Sequence, residues 1–327
     1  MFRTFVAYTF DVSMSETLSD WYVIVNPHAG SGKTISEWPE AVRLLDAYSV
    51  QYTTVFTDRR KHAVNLASEA AAAGYRKILA VGGDGSVHEV FLGVLSWCEG
   101  TGVDPSEFLV GVLPIGSGND WIKTLSVPKD KERIIEAMHD ETFCYEDVVR
   151  VTAADGRLSY MSNVGGVGFD SSVCERVNKE KERGYRSRLI YVNALMGTIR
   201  TLKPINIGVR VDDEEVFNGC AYSVALGNGR YSGSGMCQVP QARIDDGLVD
   251  VMIVPKVGVM RIARELPRLF TETMDRSKAV KFARGRKIEI YPLDAESEAI
   301  FEVDGEIEGR IPMRIECTGA QLRVLKV

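Results

Sequence analysis

Three times in the first part of the chain a short apolar run ends in a turn rich in Gly, Asn and Ser, and helical spacing follows. The runs are "WYVIVNP", "KILAVGGDGS" and "FLVGVLPIGSGND". Between them lie "TISEWPEAVRLLDAYS", the β-branched strand "VQYTTVFT" and the alanine-rich "RKHAVNLASEAAAAGY", which Gly74 closes. Near-continuous apolar strands need cover on both faces, so this rhythm predicts a parallel sheet between helix layers. In such sheets ligands gather at the carboxyl ends of strands. The turns Asn26–Gly32, Gly82–Ser86 and Gly116–Asp120 all fall there, and their convergence predicts a cleft.

The first turn ends like a nucleotide P-loop, in Gly32, Lys33 and Thr34. The pattern also needs a glycine at the strand exit, where this chain has Pro27. Proline offers no N–H and a fixed φ, so it cannot wrap a phosphate there. Lys33 is therefore read as a residue near the cleft or on the surface, and not as a Walker lysine.

From about Tyr145 the pattern changes. "EDVVRVTAADGRLSYMSNVGGVGF" alternates about an Asp-Gly turn, as a hairpin does. A long helical stretch is expected over Ser171–Leu202, followed by segments of strand character to the C-terminus. The expected fold is α/β followed by mostly β: an extension over 1–20, an α/β domain over 21–145 and a β domain over 146–327. The last strand is free to return to the first domain. Residues 1–13 fit a leader or an extra edge strand equally well. A net charge of -6 argues against a surface built wholly to grip nucleic acid or an anionic membrane. Scattered cysteines without a C-x-x-C pair suggest reduced thiols, a cytosolic setting and no structural zinc.

In "GGDGS" the glycines Gly82, Gly83 and Gly85 let backbone approach a bulky anion at a helix N-terminus. Asp84 among them would oppose phosphate unless it works through Mg²⁺ or takes a proton. Together these features suggest nucleotide, metal and kinase chemistry. A tight turn with Asp84 as helix cap accounts for the same residues. "LPIGSGND" repeats the logic with Gly116, Ser117, Asn119 and Asp120, again with a capped turn as the plain alternative.

In this order, "VNPHAGSGK", "GGDGSVHEV" and "LPIGSGND" resemble the catalytic domain of the diacylglycerol kinase and sphingosine kinase superfamily. "NVGGVGFD", "LGNGRYSGSG", "VPQARIDDGLVDV" and "EVDGE" extend the likeness from about Trp21 to the C-terminus. It is similar above all to the soluble bacterial lipid kinases. The resemblance implies a three-layer nucleotide-binding domain related to NAD kinase and phosphofructokinase, then a β-sandwich with inserted helices. It implies ATP and Mg²⁺ as cofactors, held by Asn26, Gly82, Gly83, Asp84, Gly85, Ser86, Glu89, Gly116, Ser117 and Asn119. It implies a structural Mg²⁺ on Asp246 and the carbonyl of Leu248, where a plain hairpin turn is the alternative. For the general base it offers Asp304, with Asp84 as partner of ATP·Mg²⁺, or the reverse; Glu306 would align Asp304 or the metal shell.

Two departures stand out. His88 replaces the asparagine of many bacterial members, and "HEV" is shared with sphingosine kinases; it is read as a structural helix-face residue. Ser86 and Ser117 stand in for threonines. The basic stretches Arg176–Arg188 and Arg276–Lys287 are candidates for contact with an anionic membrane, or solvated faces. The expected substrate is a membrane lipid bearing a hydroxyl, from diacylglycerol to a sphingoid base, with no nucleic-acid partner and a homodimer as a further expectation. An NAD kinase-like enzyme and a non-catalytic lipid-binding module are the competing readings.

Overall fold

The computed structural model describes residues 18–115, 119–169, 203–295 and 299–327, with 171, 172, 174 and 176. The expected leader or edge strand over 1–13, most of the expected helix over Ser171–Leu202, and Gly116 and Ser117 lie outside the described residues.

The first half alternates strand and helix as far as its fourth strand, which two helices follow. It runs β1 (Leu18–Val25), α1 (Lys33–Ala47), β2 (Tyr52–Phe56), α2 (His62–Ala72), β3 (Tyr75–Gly82), α3 (Asp84–Thr101), β4 (Leu109–Pro114), α4 (Asp120–Thr124) and α5 (Lys131–Asp140). The strands pair in parallel in the order β2-β1-β3-β4. Ile78–Val81 are buried on both faces, as an apolar strand between helix layers must be. The direction of winding reverses between β1 and β3, so their exits face one crevice. Against that sheet α2 and α3 pack closely because α2 presents alanines and α3 presents Gly93. A Cβ on Gly93 would lie 2.3 Å from the Val64 carbonyl oxygen and 2.8 Å from the Ala67 Cβ.

The second half is antiparallel. It comprises β5 (Phe143–Ala153), β6 (Leu158–Met161), β7 (Val164–Gly168), β8 (Ile205–Val211), β9 (Glu214–Gly227), the short pair β10 (Tyr231–Ser232) and β11 (Met236–Cys237), and β12 (Val249–Pro255). Helix α6 (Val259–Phe270) follows, then β13 (Lys281–Gly285), β14 (Lys287–Pro292), β15 (Ile300–Val303), β16 (Glu306–Arg310) and β17 (Met313–Leu325). β17 belongs to both halves. Its first part pairs with β14, its length runs antiparallel to β5, and Arg323 and Val324 pair in parallel with Leu109 and Val110 of β4. Leu322, Val324 and Leu325 are buried in the core of the first half, while Met313, Ile315 and Cys317 are buried in that of the second.

Candidate active site

The three turns meet. Asn26, leaving β1, donates its backbone N–H to Val81 and its Nδ2 to Ser86 Oγ at 3.2 Å, while its Oδ1 accepts the His28 N–H. Gly82 has no room for a side chain, since a Cβ would lie 2.3 Å from Ser86 Oγ. Gly30 is left-handed at φ +58, and a Cβ there would lie 2.6 Å from the Ile115 carbonyl oxygen. The P-loop imitation is spent internally: Thr34 is buried and its Oγ1 donates to the Ala29 carbonyl, whereas Lys33 is exposed at the start of α1.

Asp84 opens α3 and accepts the Trp121 backbone N–H at 3.1 Å. Burial, reinforced by the charge of Asp120, raises its carboxyl to about 6 against the pull of N–H groups from Trp121, Asp120 and Asn119. Asp120, itself buried, accepts Lys123 Nζ at 2.9 Å and the Ser234 N–H. Gly83 and exposed Gly85 flank Asp84 at the helix entrance. Glu89 faces elsewhere: its two oxygens accept the backbone N–H groups of Lys61 and Ala63, satisfying the N-terminus of α2.

Asp304 stands at the β15–β16 turn, where Asp304 and Gly305 are both left-handed, as a tight Asp-Gly hairpin requires. The turn aims the carboxylate inward. Oδ1 accepts the N–H groups of Asn163 and Val164, and Oδ2 accepts the N–H and hydroxyl of Ser162 and a ring nitrogen of His88. Glu306 does not align it, because Glu306 forms an ion pair with Arg60. Behind Trp121, buried Glu146 accepts the indole N–H at 3.0 Å, and burial raises its carboxyl well above the carboxylate range. Sequence reasoning missed Glu146 and Ser162, and it took His88 for a helix-face residue. Only contacts across the two halves reveal them.

One cavity of about 1400 Å³, its open mouth included, joins these carboxylates to an apolar chamber. Asp84, Asp120 and Asp304 line one end. Phe169, Met236, Met252 and Met274, with Ile262, Leu266 and Leu269 of α6, make up much of the apolar lining, and Glu265 and Glu302 also reach it. The Asp84–Asp120 pair suits Mg²⁺·nucleotide, since a cation would offset the burial and, with it, the Asp120 charge that raise Asp84. The oxygens of Asp246, expected with the Leu248 carbonyl to hold a structural Mg²⁺, are already engaged: Oδ1 accepts the Leu248 N–H and Oδ2 accepts Arg284. No cluster of three or more metal-ligating side chains occurs among the described residues.

Fold and site define a two-domain protein with a glycine-turn anion cleft opening on an apolar chamber. Residues 20–151 match the diacylglycerol kinase catalytic domain, and residues 163–326 match the YegS C-terminal NAD kinase beta sandwich-like domain. The chain belongs to the lipid kinase family built from these two domains. It is 27% identical over 309 residues to the "Probable lipid kinase YegS-like" of Xanthomonas campestris pv. campestris, covering 94% of this chain and 96% of that protein. It is 25% identical over 304 residues to a diacylglycerol kinase of Mycobacterium tuberculosis, covering 93% and 94%. In fold it is similar to the crystal structure of a diacylglycerol kinase from Bacillus anthracis, with TM-score 0.73, 22% identity and coverage of 96% and 99%.

Proposed function

We propose that this protein is an ATP-dependent lipid kinase that phosphorylates the terminal hydroxyl of a glycerolipid or sphingoid lipid, diacylglycerol first among them. The observation that carries this reading is one cavity lined both by the carboxylates Asp84, Asp120 and Asp304 and by a cluster of apolar side chains. A lipid hydroxyl entering along the apolar chamber arrives at Asp84. Bound at the glycine turns, ATP·Mg²⁺ would supply the phosphoryl group and offset its charge.

In this reading the acceptor oxygen attacks the γ-phosphorus, the bond to ADP breaks, and the hydroxyl proton passes to a carboxylate of the cleft. Asp304 is poorly suited to receive it, because five donors already occupy its oxygens. Asp84 lines the cavity, and its raised carboxyl lies close to the working pH that general-base catalysis favours. Asp84 is therefore assigned as acceptor, with Asp120 beside it toward the metal and Asp304 as the fixed charge that orders Ser162–Val164. Incubation of the purified chain with labelled ATP and a panel of diacylglycerol, monoacylglycerol, phosphatidylglycerol, ceramide and sphingoid bases tests the reading. Label appearing in none of these lipids, with the protein folded and ATP bound, would remove it.

The membrane is met, in this reading, at α6. Its inner face lines the chamber, while Met260 is 71% and Phe270 55% exposed. Phe282 of β13 and the exposed cations Arg261, Arg264, Lys278 and Lys281 are on this part of the chain. Exposed apolar tips among arginines and lysines suit an anionic lipid surface. Among the described residues no helix is long and apolar enough to cross a membrane. The other expected basic patch, 176–188, lies outside the described residues except for Arg176.

A further inference from the structure

The turn Asp245–Leu248 carries the aspartate that the family resemblance assigns to a structural Mg²⁺. Its surroundings in this chain contain a cation already. We propose that the guanidinium of Arg284 fills the cation position of this turn, so that the β domain needs no bound divalent ion.

Strand register creates the arrangement. β12 and β13 run antiparallel, and Asp250 stands directly opposite Arg284 in the ladder. Arg284 Nη2 donates to Asp250 Oδ2 at 2.7 Å and to Asp246 Oδ2 at 3.1 Å, and lies 3.4 Å from the Gln241 carbonyl oxygen. One guanidinium thus ties both ends of the turn to the strand beside it. The remaining oxygen of Asp246 accepts the Leu248 N–H at 3.2 Å. A magnesium ion needs oxygens at about 2.0–2.1 Å in near-octahedral order. On Asp246 it would have to displace the guanidinium and leave Asp250, whose side chain is 8% exposed, to hold it alone.

The turn matters because it grips the junction of the two halves. Asp147 of β5 donates its N–H to the Ile244 carbonyl, accepts the Gly247 N–H on Oδ2, and accepts Gln321 Nε2 of β17 on Oδ1. A guanidinium in the chain makes this clasp independent of free metal. The divalent requirement is then confined to the nucleotide.

The contrast rests on family membership, but the test reads stability and not turnover, so it stands or falls apart from the kinase reading. Melting of the full chain without nucleotide is compared in EDTA, Mg²⁺ and Ca²⁺. The wild type is expected to shift by less than about 1 °C, since an ion that does not bind the folded state does not stabilise it. Arg284→Gln should melt lower and regain several degrees when Mg²⁺ or Ca²⁺ is added. A wild-type Tm that drops by several degrees in EDTA, and does so equally in Asp84→Asn but not in Asp246→Asn, would place a metal in the turn and overturn the proposal. Should Arg284→Gln fail to fold, the wild-type, Asp84→Asn and Asp246→Asn melts still decide between the two outcomes.

Discussion

His88 of α3 and Asp304 of the β15–β16 hairpin meet at 3.0 Å across the two halves of the protein, each with only 3% of its side chain exposed. Burial alone would pull the imidazole down, but the hydrogen bond and charge of Asp304, with Glu308 and Glu306 beyond, hold it above its ordinary value. The other ring nitrogen, Nε2, is buried without a partner among the described residues. The pair is a buried charge contact that fixes the hairpin against the nucleotide half.

His88→Ala should lower stability by about 3–5 kcal/mol, the scale for breaking a buried pair. A histidine raised on folding stabilises below its ordinary value and loses that contribution as pH rises through the folded one. Wild-type Tm should therefore fall from mildly acidic to alkaline pH more steeply than that of His88→Ala. His88→Asn, which keeps a donor toward Asp304, should recover part of the lost stability but not the pH dependence. Parallel Tm–pH curves for wild type and His88→Ala would deny the charge contact.

Asp84 drives stability in the same direction with pH, for a different reason: its charged form is disfavoured by folding, whereas that of His88 is favoured. Its carboxyl is raised from 3.8 to about 6, so in that window the folded chain holds a proton that the unfolded chain has lost. Stability then falls as pH rises through the window. Asp84→Asn should raise Tm at neutral pH by a few degrees, on the order of 1–2 kcal/mol, and by nothing near pH 3. Turnover should fall by orders of magnitude in the same variant. Loss of stability at neutral pH in Asp84→Asn would show that the carboxylate is satisfied as an anion.

The roles of the two carboxylates separate kinetically. Asp84→Asn should cost roughly 10²–10⁴ in the single-turnover rate, the usual worth of a general base. Asp304→Asn should act mainly through stability, because it withdraws charge from His88 and from the ordered segment Ser162–Val164. A normally melting Asp304→Asn that binds ATP yet does not react would give Asp304 the proton instead.

Lys33→Ala should reduce kcat/KM by less than about tenfold, since the exposed lysine follows a turn that Pro27 prevents from enclosing a phosphate. A thousandfold loss with nucleotide binding abolished would restore the P-loop assignment.

Met260→Asp with Phe282→Asp should weaken sedimentation with phosphatidylglycerol vesicles severalfold while leaving turnover of a short-chain, dispersed diacylglycerol unchanged. Equal vesicle binding by this variant and the wild type would place the membrane contact elsewhere.

The glycine turns and buried strands were legible because their causes are local: a Cβ excluded at Gly82, an apolar run from Ile78 to Val81, an Asp-Gly hairpin at Asp304. What was not legible depends on register and on distance along the chain. His88 reads as one more helix residue until β15 brings Asp304 against it, 216 positions away. Glu89 looked like a ligand and proves to cap α2, because its oxygens find N–H groups on a neighbouring helix. The Asp246 turn matched a metal motif by sequence, and the arginine that answers it lies on a strand whose alignment with Asp250 no spacing rule supplies.

The shared strand β17 bears on how the protein is made. The sheet edge at β4 is covered by Arg323 and Val324, residues synthesised long after the rest of the nucleotide half. On the ribosome that half must wait, with an open parallel edge, until nearly the whole β domain has been translated. The two segments recognised as domains by sequence are therefore not two successive folding units, since the sheet of the first gains its β4 neighbour only after the β domain has been made.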